Sequence, residues 1–134
     1  MDHIMHFSIQ TSKPQQFINI TGKVAEAVKN SNVRDGIAVI FVPHTTAGVT
    51  INEKADPDVV RDMITALDKT YPVHGDYQHF EGNSHAHIKA SLMGSSCTVI
   101  IADGKLQLGT WQAIYFCEFD GPRNREFHVK IISG

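Results

Sequence analysis

Eight histidines among 134 residues, four of them between His74 and His87, are the unusual count in this chain. Imidazole is the side chain best suited to moving protons near neutral pH and is the commonest ligand for transition metals. His85 and His87 are two apart, so they would share a face on a strand but lie about 200° apart on a helix. Ser84 to Leu92 reads as a helix ended by Gly94, so only one of the pair points into a site. Ile88 and Leu92 mark its expected buried side, and His87 is nearer to them in angle. His79 lies in the preceding loop, eight residues upstream of His87. His44 ends an apolar run, a rigid place to mount a ligand. Three imidazoles from separate elements with a fourth position open describe a catalytic zinc-type site. Taken one at a time, each reads more readily as an ordinary polar loop residue than as a ligand.

Glu53, Asp56, Glu81, Glu118 and Asp120 fall at element ends beside these histidines. Asp56 precedes Pro57 and has an obvious task as a helix cap. Glu53 ends a strand and has no such task, which suits it to accept a proton or to orient a metal-bound histidine. Asp120-Gly121-Pro122-Arg123 reads as a tight turn, yet the Arg123 guanidinium also suits bidentate phosphate recognition. Gly82-Asn83-Ser84 before a helix and Gly109-Thr110 before Trp111 are the candidate phosphate cradles. Gly22-Lys23 lacks the rest of a phosphate-binding loop, and neither a dinucleotide fingerprint nor a nucleophile elbow is present. Cys97 and Cys117 fall mid-strand and read as small core residues.

The elements that must position these groups follow from period and punctuation. Residues 3 to 10 alternate, with Met5, Phe7 and Ile9 on one face. Thr11-Ser12-Lys13-Pro14 turns the chain, and Gln16 to Ile20 returns as the second strand of a hairpin. Thr21 reads as the N-cap of a helix with Val24, Ala27 and Val28 on its apolar stripe, ended by Gly36. Ile37 to Val42 is a continuous apolar run, the signature of a strand covered on both faces. Val49 to Asn52 resumes as strand. Val60, Met63, Ile64 and Leu67 repeat at helical spacing after Pro57, and a polar loop runs from Val73 to Asn83. Cys97 to Ala102 and Lys105 to Leu108 flank Asp103-Gly104, a strong hairpin signal. Gln112 to Phe119 and Glu126 to Ile132 alternate as two closing strands. Strands dominate, with two or three helices among them, so the class is α+β.

Length and composition bound the rest. A chain of 134 residues that is 42% hydrophobic and 19% charged is one domain, 1–134, with enough apolar material for its own core. Twelve basic against fourteen acidic side chains give a net charge of −2, without the electrostatic footprint of a nucleic-acid or anionic-membrane binder. No apolar run approaches membrane-spanning length. Two cysteines are too few for a disulfide framework, so a reducing, cytoplasmic setting is expected.

Seven segments then occur in order: Pro43-His44-Thr45-Thr46-Ala47, Ile51-Asn52-Glu53, Ala55-Asp56-Pro57-Asp58-Val59, His79-Phe80-Glu81-Gly82-Asn83, His87-Ile88-Lys89-Ala90-Ser91-Leu92, Leu108-Gly109-Thr110-Trp111-Gln112 and Glu118-Phe119-Asp120-Gly121-Pro122-Arg123. With these the sequence closely resembles the YjbQ family, also described as secondary thiamine-phosphate synthases, over essentially the whole chain. The resemblance implies a mixed, mostly antiparallel sheet folded into a sandwich, and a homo-oligomer, a trimer, with a histidine-lined site near subunit boundaries. It implies condensation of hydroxymethylpyrimidine diphosphate with a thiazole phosphate, releasing diphosphate. On that reading His44, His79 and His87 hold a divalent metal, zinc by its ligands or Mg²⁺ for the diphosphate. Glu53 and Asp56 are the catalytic carboxylates, and Thr45, Thr46, Asn83, Ser84, Gly109, Thr110, Gln112 and Arg123 bind the phosphorylated substrate. Imidazole ligands favour zinc whereas diphosphate chemistry favours Mg²⁺. That tension keeps two other classes open: a metal-dependent hydrolase that activates water, and a non-enzymatic metal or small-molecule binding module.

Overall fold

The computed structural model describes residues 4–134, so His3, at the start of the expected first strand, lies outside the described residues. The chain runs β1 (Ile4–Gln10), β2 (Gln16–Asn19), α1 (Thr21–Ser31), β3 (Gly36–Phe41), β4 (Ala47–Glu53), α2 (Pro57–Thr70), α3 (Ser84–Met93), β5 (Ser96–Ala102), β6 (Lys105–Leu106), β7 (Gln112–Glu118) and β8 (Asn124–Ser133). A five-stranded sheet in the order β1-β8-β3-β5-β6 faces a three-stranded sheet, β2-β7-β4. Every pairing among the described residues is antiparallel, so this α+β sandwich has no parallel component. Among the described residues no helix is long and apolar enough to cross a membrane.

Alternation on β7 explains the layering. Ile114 and Phe116 point into the space between the sheets and pack with Ala38, Ile40, Phe127, Val129 and the α1 stripe of Val24, Ala27 and Val28. Ala113, Tyr115 and Cys117, one residue out of phase, join Phe119 against Ala86 and Ala90 of α3, with Val60 and Leu67 of α2 alongside. The small sheet is thus the middle layer, with the large sheet on one side and α2 and α3 on the other. Burial pushes the Cys97 thiol up to about 11 and Cys117 higher still, as befits core residues.

Several expected connections are different. β1 and β2 do not pair as a hairpin: β1 lies on β8 and β2 on β7, in different sheets. Turn residues between two strands fix a reversal but not the partners, which are chosen by nonlocal packing. Thr21 is the first helical residue of α1, not its cap; its Oγ1 accepts from the Ile114 amide at 2.9 Å. That helix ends at Asn32 in a left-handed conformation, and Gly36 opens β3 instead. β3 is covered on one face only: Ala38 and Ile40 are buried, whereas Phe41 is exposed, as are Ile4, Ile100 and Ile132 elsewhere on the same sheet. The buried side of α3 carries His85, Ala86, Lys89 and Ala90, not Ile88 and Leu92; Leu92 is exposed. Asp56 caps α2 as expected, accepting from the Asp58 amide at 2.9 Å, and Asp103-Gly104 turns with positive φ at both residues.

Gly48 sets the spacing between β4 and α3. A Cβ there would stand 2.7 Å from the Gly94 carbonyl oxygen and 3.2 Å from that of Ala90, backbone atoms that cannot swing away. Gly48→Ala should therefore lower the unfolding free energy by about 1–3 kcal/mol in denaturant titrations, the usual cost of overpacking.

Candidate functional site

At one end of the sandwich a cavity of about 640 Å³ opens between segments far apart in sequence. Pro43 to Thr46, leaving β3, form one wall; His79, Glu81 and Asn83 of the long loop and His87 of α3 form another. Asp120, Arg123 and Arg125, on and after the crossing from β7 to β8, close the third side. A second cavity of about 510 Å³ adjoins it and shares His44, Thr45 and His87.

The floor is a buried ion pair. Arg125 is 5% exposed and Glu118 fully buried. Arg125 Nε donates to both carboxylate oxygens of Glu118, at 2.9 and 3.1 Å. Its Nη2 donates to Glu118 Oε2 and, at 2.7 Å, to Thr46 Oγ1. Thr11 Oγ1 donates to Glu118 Oε1 at 2.8 Å, and the Asp120 amide donates to Oε2 at 3.1 Å. Burial alone would raise the Glu118 carboxyl; the hydrogen bonds from Arg125, Thr11 and the Asp120 amide outweigh it and hold the group below its ordinary value. Among the described residues the Nη1 N–H groups of Arg125 make no hydrogen bond, and they are its remaining donors in the cavity lining.

His44 is fixed from behind: its Nε2 accepts from the Glu126 amide at 3.0 Å. Burial first, and then the charge of Arg125, lowers its pKa. The ring is therefore neutral with its proton on Nδ1, a hydrogen-bond donor. His79 and His87 meet edge to face, 5.6 Å between ring centres, with Glu81 Oε2 3.9 Å from His79 Nε2. Those two imidazoles fit two positions around a metal ion. His44 does not fit as a third, because its Nε2 lone pair is already committed, and no three His, Cys, Asp or Glu side chains among the described residues are placed to hold an ion.

His85 points elsewhere. Its Nδ1 lies 3.0 Å from the Nζ of the fully buried Lys89, which also donates to Asp68 of α2 and Gln15. Burial, then Lys89, lowers the His85 pKa. Arg123 is half exposed and committed to the turn: its Nε donates to the Asp120 carbonyl at 2.8 Å and its Nη2 to Asp120 Oδ2 at 3.0 Å. Asn83 Nδ2 donates to the same oxygen at 2.9 Å, leaving Asn83 Oδ1 buried without a partner. Ser84 lines a neighbouring cavity with His79 and His87.

The other expected site residues are not in this cavity. Seven residues of β4 separate Thr46 from the end of Glu53, a span of about 20 Å. Glu53, Asp56, Gly109, Thr110 and Gln112 gather at that far end: Glu53 pairs with Gln112 across the strands, the Gly109 amide donates to Gln112 Oε1 at 2.8 Å, and Tyr115 donates to the Glu53 carbonyl at 2.9 Å. Trp111 stands among them 62% exposed. Sequence reading missed Arg125. The available signal was phase, since Arg125 alternates with Phe127, Val129 and Ile131 on the inward face of β8.

The Glu118–Arg125 pair makes stability depend on acid. A carboxyl lowered in the folded state contributes stability above its ordinary value of 4.5, and that contribution is lost as pH falls through the folded value. Glu118→Gln should cost about 3–5 kcal/mol at pH 7 by leaving Arg125 buried and unpaired. The difference from wild type in denaturant midpoint should shrink as pH is taken below 4.5.

Known proteins share this fold. Residues 5–134 match the family described as UPF0047 protein YjbQ-like. The UPF0047 protein MJ1081 of Methanocaldococcus jannaschii is 56% identical over 96% of this chain and 94% of its own length. YugU of Bacillus subtilis is 50% identical over 92% of this chain and 95% of its own. A crystal structure of a YjbQ/UPF0047-family protein from Clostridium acetobutylicum superposes with a TM-score of 0.95 at 65% identity, covering 96% of this chain and 99% of that one. A YbjQ-like protein of unknown function from Sulfolobus solfataricus has the same TM-score at 30% identity, covering 100% and 99% of the two chains.

Proposed function

The chain belongs to the YjbQ-like UPF0047 family, and on that premise we propose that its cavity binds a small phosphorylated substrate and works as a transferase of the secondary thiamine-phosphate synthase type. In that reaction a bond forms between the methylene carbon of hydroxymethylpyrimidine diphosphate and the ring nitrogen of thiazole phosphate. The bond from that carbon to the diphosphate oxygen breaks, and diphosphate departs with the electron pair. The nitrogen attacks through its lone pair, so no proton has to be removed. What the protein must supply is stabilisation of the leaving charge.

The observation that supports this reading is the Arg125 guanidinium, fixed by Glu118 and Thr46, in one cavity with Arg123 and the Nδ1–H of His44. Both arginines already carry a carboxylate partner, so a bound phosphate takes their remaining N–H donors as hydrogen bonds and draws the balance of positive charge from a cation. The donors stand in place before the substrate arrives, which spares reorganisation during the reaction. Thr45, Asn83 and Ser84 edge the same region. A divalent ion at His79 and His87, zinc on the chemistry of those donors or magnesium on that of diphosphate, would add positive charge beside the leaving group. The same His79–His87 pair beside Glu81 favours the second reading, a metal-assisted hydrolase of a phosphorylated substrate.

The far-end group enters through assembly. In a homo-oligomeric ring, a trimer, the Glu53–Trp111 end of one copy covers the cavity of the next, a head-to-tail contact that closes by rotation. Supporting this are the two most exposed aromatics, Trp111 at the far end and Phe80, 93% exposed, in the loop beside the cavity. A cytoplasmic setting goes with the free thiols of Cys97 and Cys117.

Diphosphate release should require both the pyrimidine diphosphate and thiazole phosphate. Release from the first alone would favour the hydrolase, and no release in either mixture would reduce the site to a binding module. Arg125→Lys and Arg123→Lys keep charge but lose the planar fork, and each should raise KM about tenfold in protein that still elutes as an oligomer.

A shared site has its own signature. Glu53→Gln, which removes the carboxylate that the covering copy brings to the His79–His87 pair, and His87→Ala should each lower turnover by about 10–100-fold, the scale of a lost metal ligand or of its supporting partner. Subunit-exchanged mixtures of the two should regain activity that neither has alone. No recovery, with exchange verified by native mass spectrometry, would confine the site to a single chain.

A further inference from the structure

On the outer face of the large sheet, separate from the His79–His87 pair and joined to His44 through the Glu126 backbone amide, two imidazoles converge. His6 of β1 and His128 of β8 are directly paired across the strands. Their rings meet edge to face with centres 4.4 Å apart, and the two Nδ1 atoms stand 2.8 Å from one another. Two neutral imidazoles can be that close only if one Nδ1 carries a proton and the other presents its lone pair. Glu126 Oε1 stands 3.5 Å from the opposite nitrogen of His128, Nε2, and favours the proton there. His128 Nδ1 is then the acceptor, and the His6 Nδ1–H the donor.

The geometry points to a binding site for a divalent transition-metal ion between His6 and His128, its first-row cation held by the two Nδ1 atoms and otherwise by water. At metal–nitrogen distances of about 2.0–2.1 Å, two adjacent ligands of one ion lie about 3 Å apart, so the rings need to part by only a few tenths of an ångström. The proton between them shifts to His6 Nε2, which makes both Nδ1 atoms lone-pair donors without net proton release. Glu126 behind His128 is the carboxylate that such histidine ligands commonly require on their far nitrogen. Phe41 stacks along the His128 ring, 6.4 Å between centres and 18° between planes, which limits its rotation. Lys130, the next outward residue on β8, is the nearby cation that opposes the ion, and it keeps the site from being an acidic sink for Ca²⁺ or Mg²⁺.

Zn²⁺ alone is the probe, in protein carrying His79→Ala and His87→Ala so that the cavity pair cannot contribute. Calorimetry should show one equivalent of Zn²⁺ bound per chain. Nitrogen-15 spectra of the imidazoles should show the Nδ1 resonances of His6 and His128 moving together. In the same background His6→Gln, a change at an exposed side chain, should weaken binding at least tenfold. Glu126→Gln should weaken it several-fold through the ring orientation of His128. His74→Ala, on the distant polar loop, should change nothing. Equal Zn²⁺ affinity with and without His6→Gln, in variants with unchanged thermal midpoints, would overturn the site; so would Nδ1 resonances that stay still at saturating Zn²⁺.

Discussion

The ion pair between Glu118 and Arg125 is the constraint on which the rest of the site depends. One member ends a strand of the small sheet and the other opens a strand of the large one, so the pair fastens the two layers where they part to form the cavity. Two charges removed from water are costly, and only full hydrogen bonding offsets that cost. Here Thr11, Thr46 and the Asp120 amide complete the set, which ties the β1–β2 turn, the segment after β3 and the crossing to β8 to one point. The cavity is therefore rimmed by loops but floored by a rigid frame.

Helix α3 is the second rigid part, and it serves two sides. Its inward residues, Ala86 and Ala90, are small enough to let it lie close on the middle sheet. Lys89 anchors it to Asp68 and Gln15, with His85 as a neutral acceptor on the same nitrogen. His87 is left on the side that faces His79. A helix locked from behind by a buried lysine holds the imidazole with little freedom to drift, as a preorganised site needs.

Local signals in the sequence located most elements: the Asp56 cap, the Asp103-Gly104 turn, the α1 stripe and the alternation of β1 and β8 correspond to what folds, whereas β7, read as alternating, is buried on both faces and β3, read as covered on both, is covered on one. Pairing was out of reach, because nothing in Thr11 to Pro14 tells β1 to seek β8 while β2 seeks β7. The direction of α3 was misread for a physical reason. Its buried face is made of alanines, a histidine and a lysine, while Leu92 is left outside, so hydrophobic period and burial disagree. The site divided in the same way. Residues from His44 to Arg123 that the sequence nominated do meet at one cavity, but Glu53, Asp56, Gly109, Thr110 and Gln112 meet at the other end. Sequence order carries no distance along a strand's length, and so the two groups looked like one.

β7 has apolar residues on both faces, which changes what keeps it honest during folding. In a strand with one wet face, a shift by one residue drives polar groups inward and is rejected by water. On β7 the same shift would exchange Ile114 and Phe116 for Ala113, Tyr115 and Cys117, and hydrophobicity would scarcely notice. Glu118 would notice: its carboxylate would turn toward the helix layer, away from Arg125, and lose every partner it has. The charge at the end of the strand thus proofreads the alignment of the whole middle layer, and selection for a cavity floor is at the same time selection for a single way of closing the sandwich.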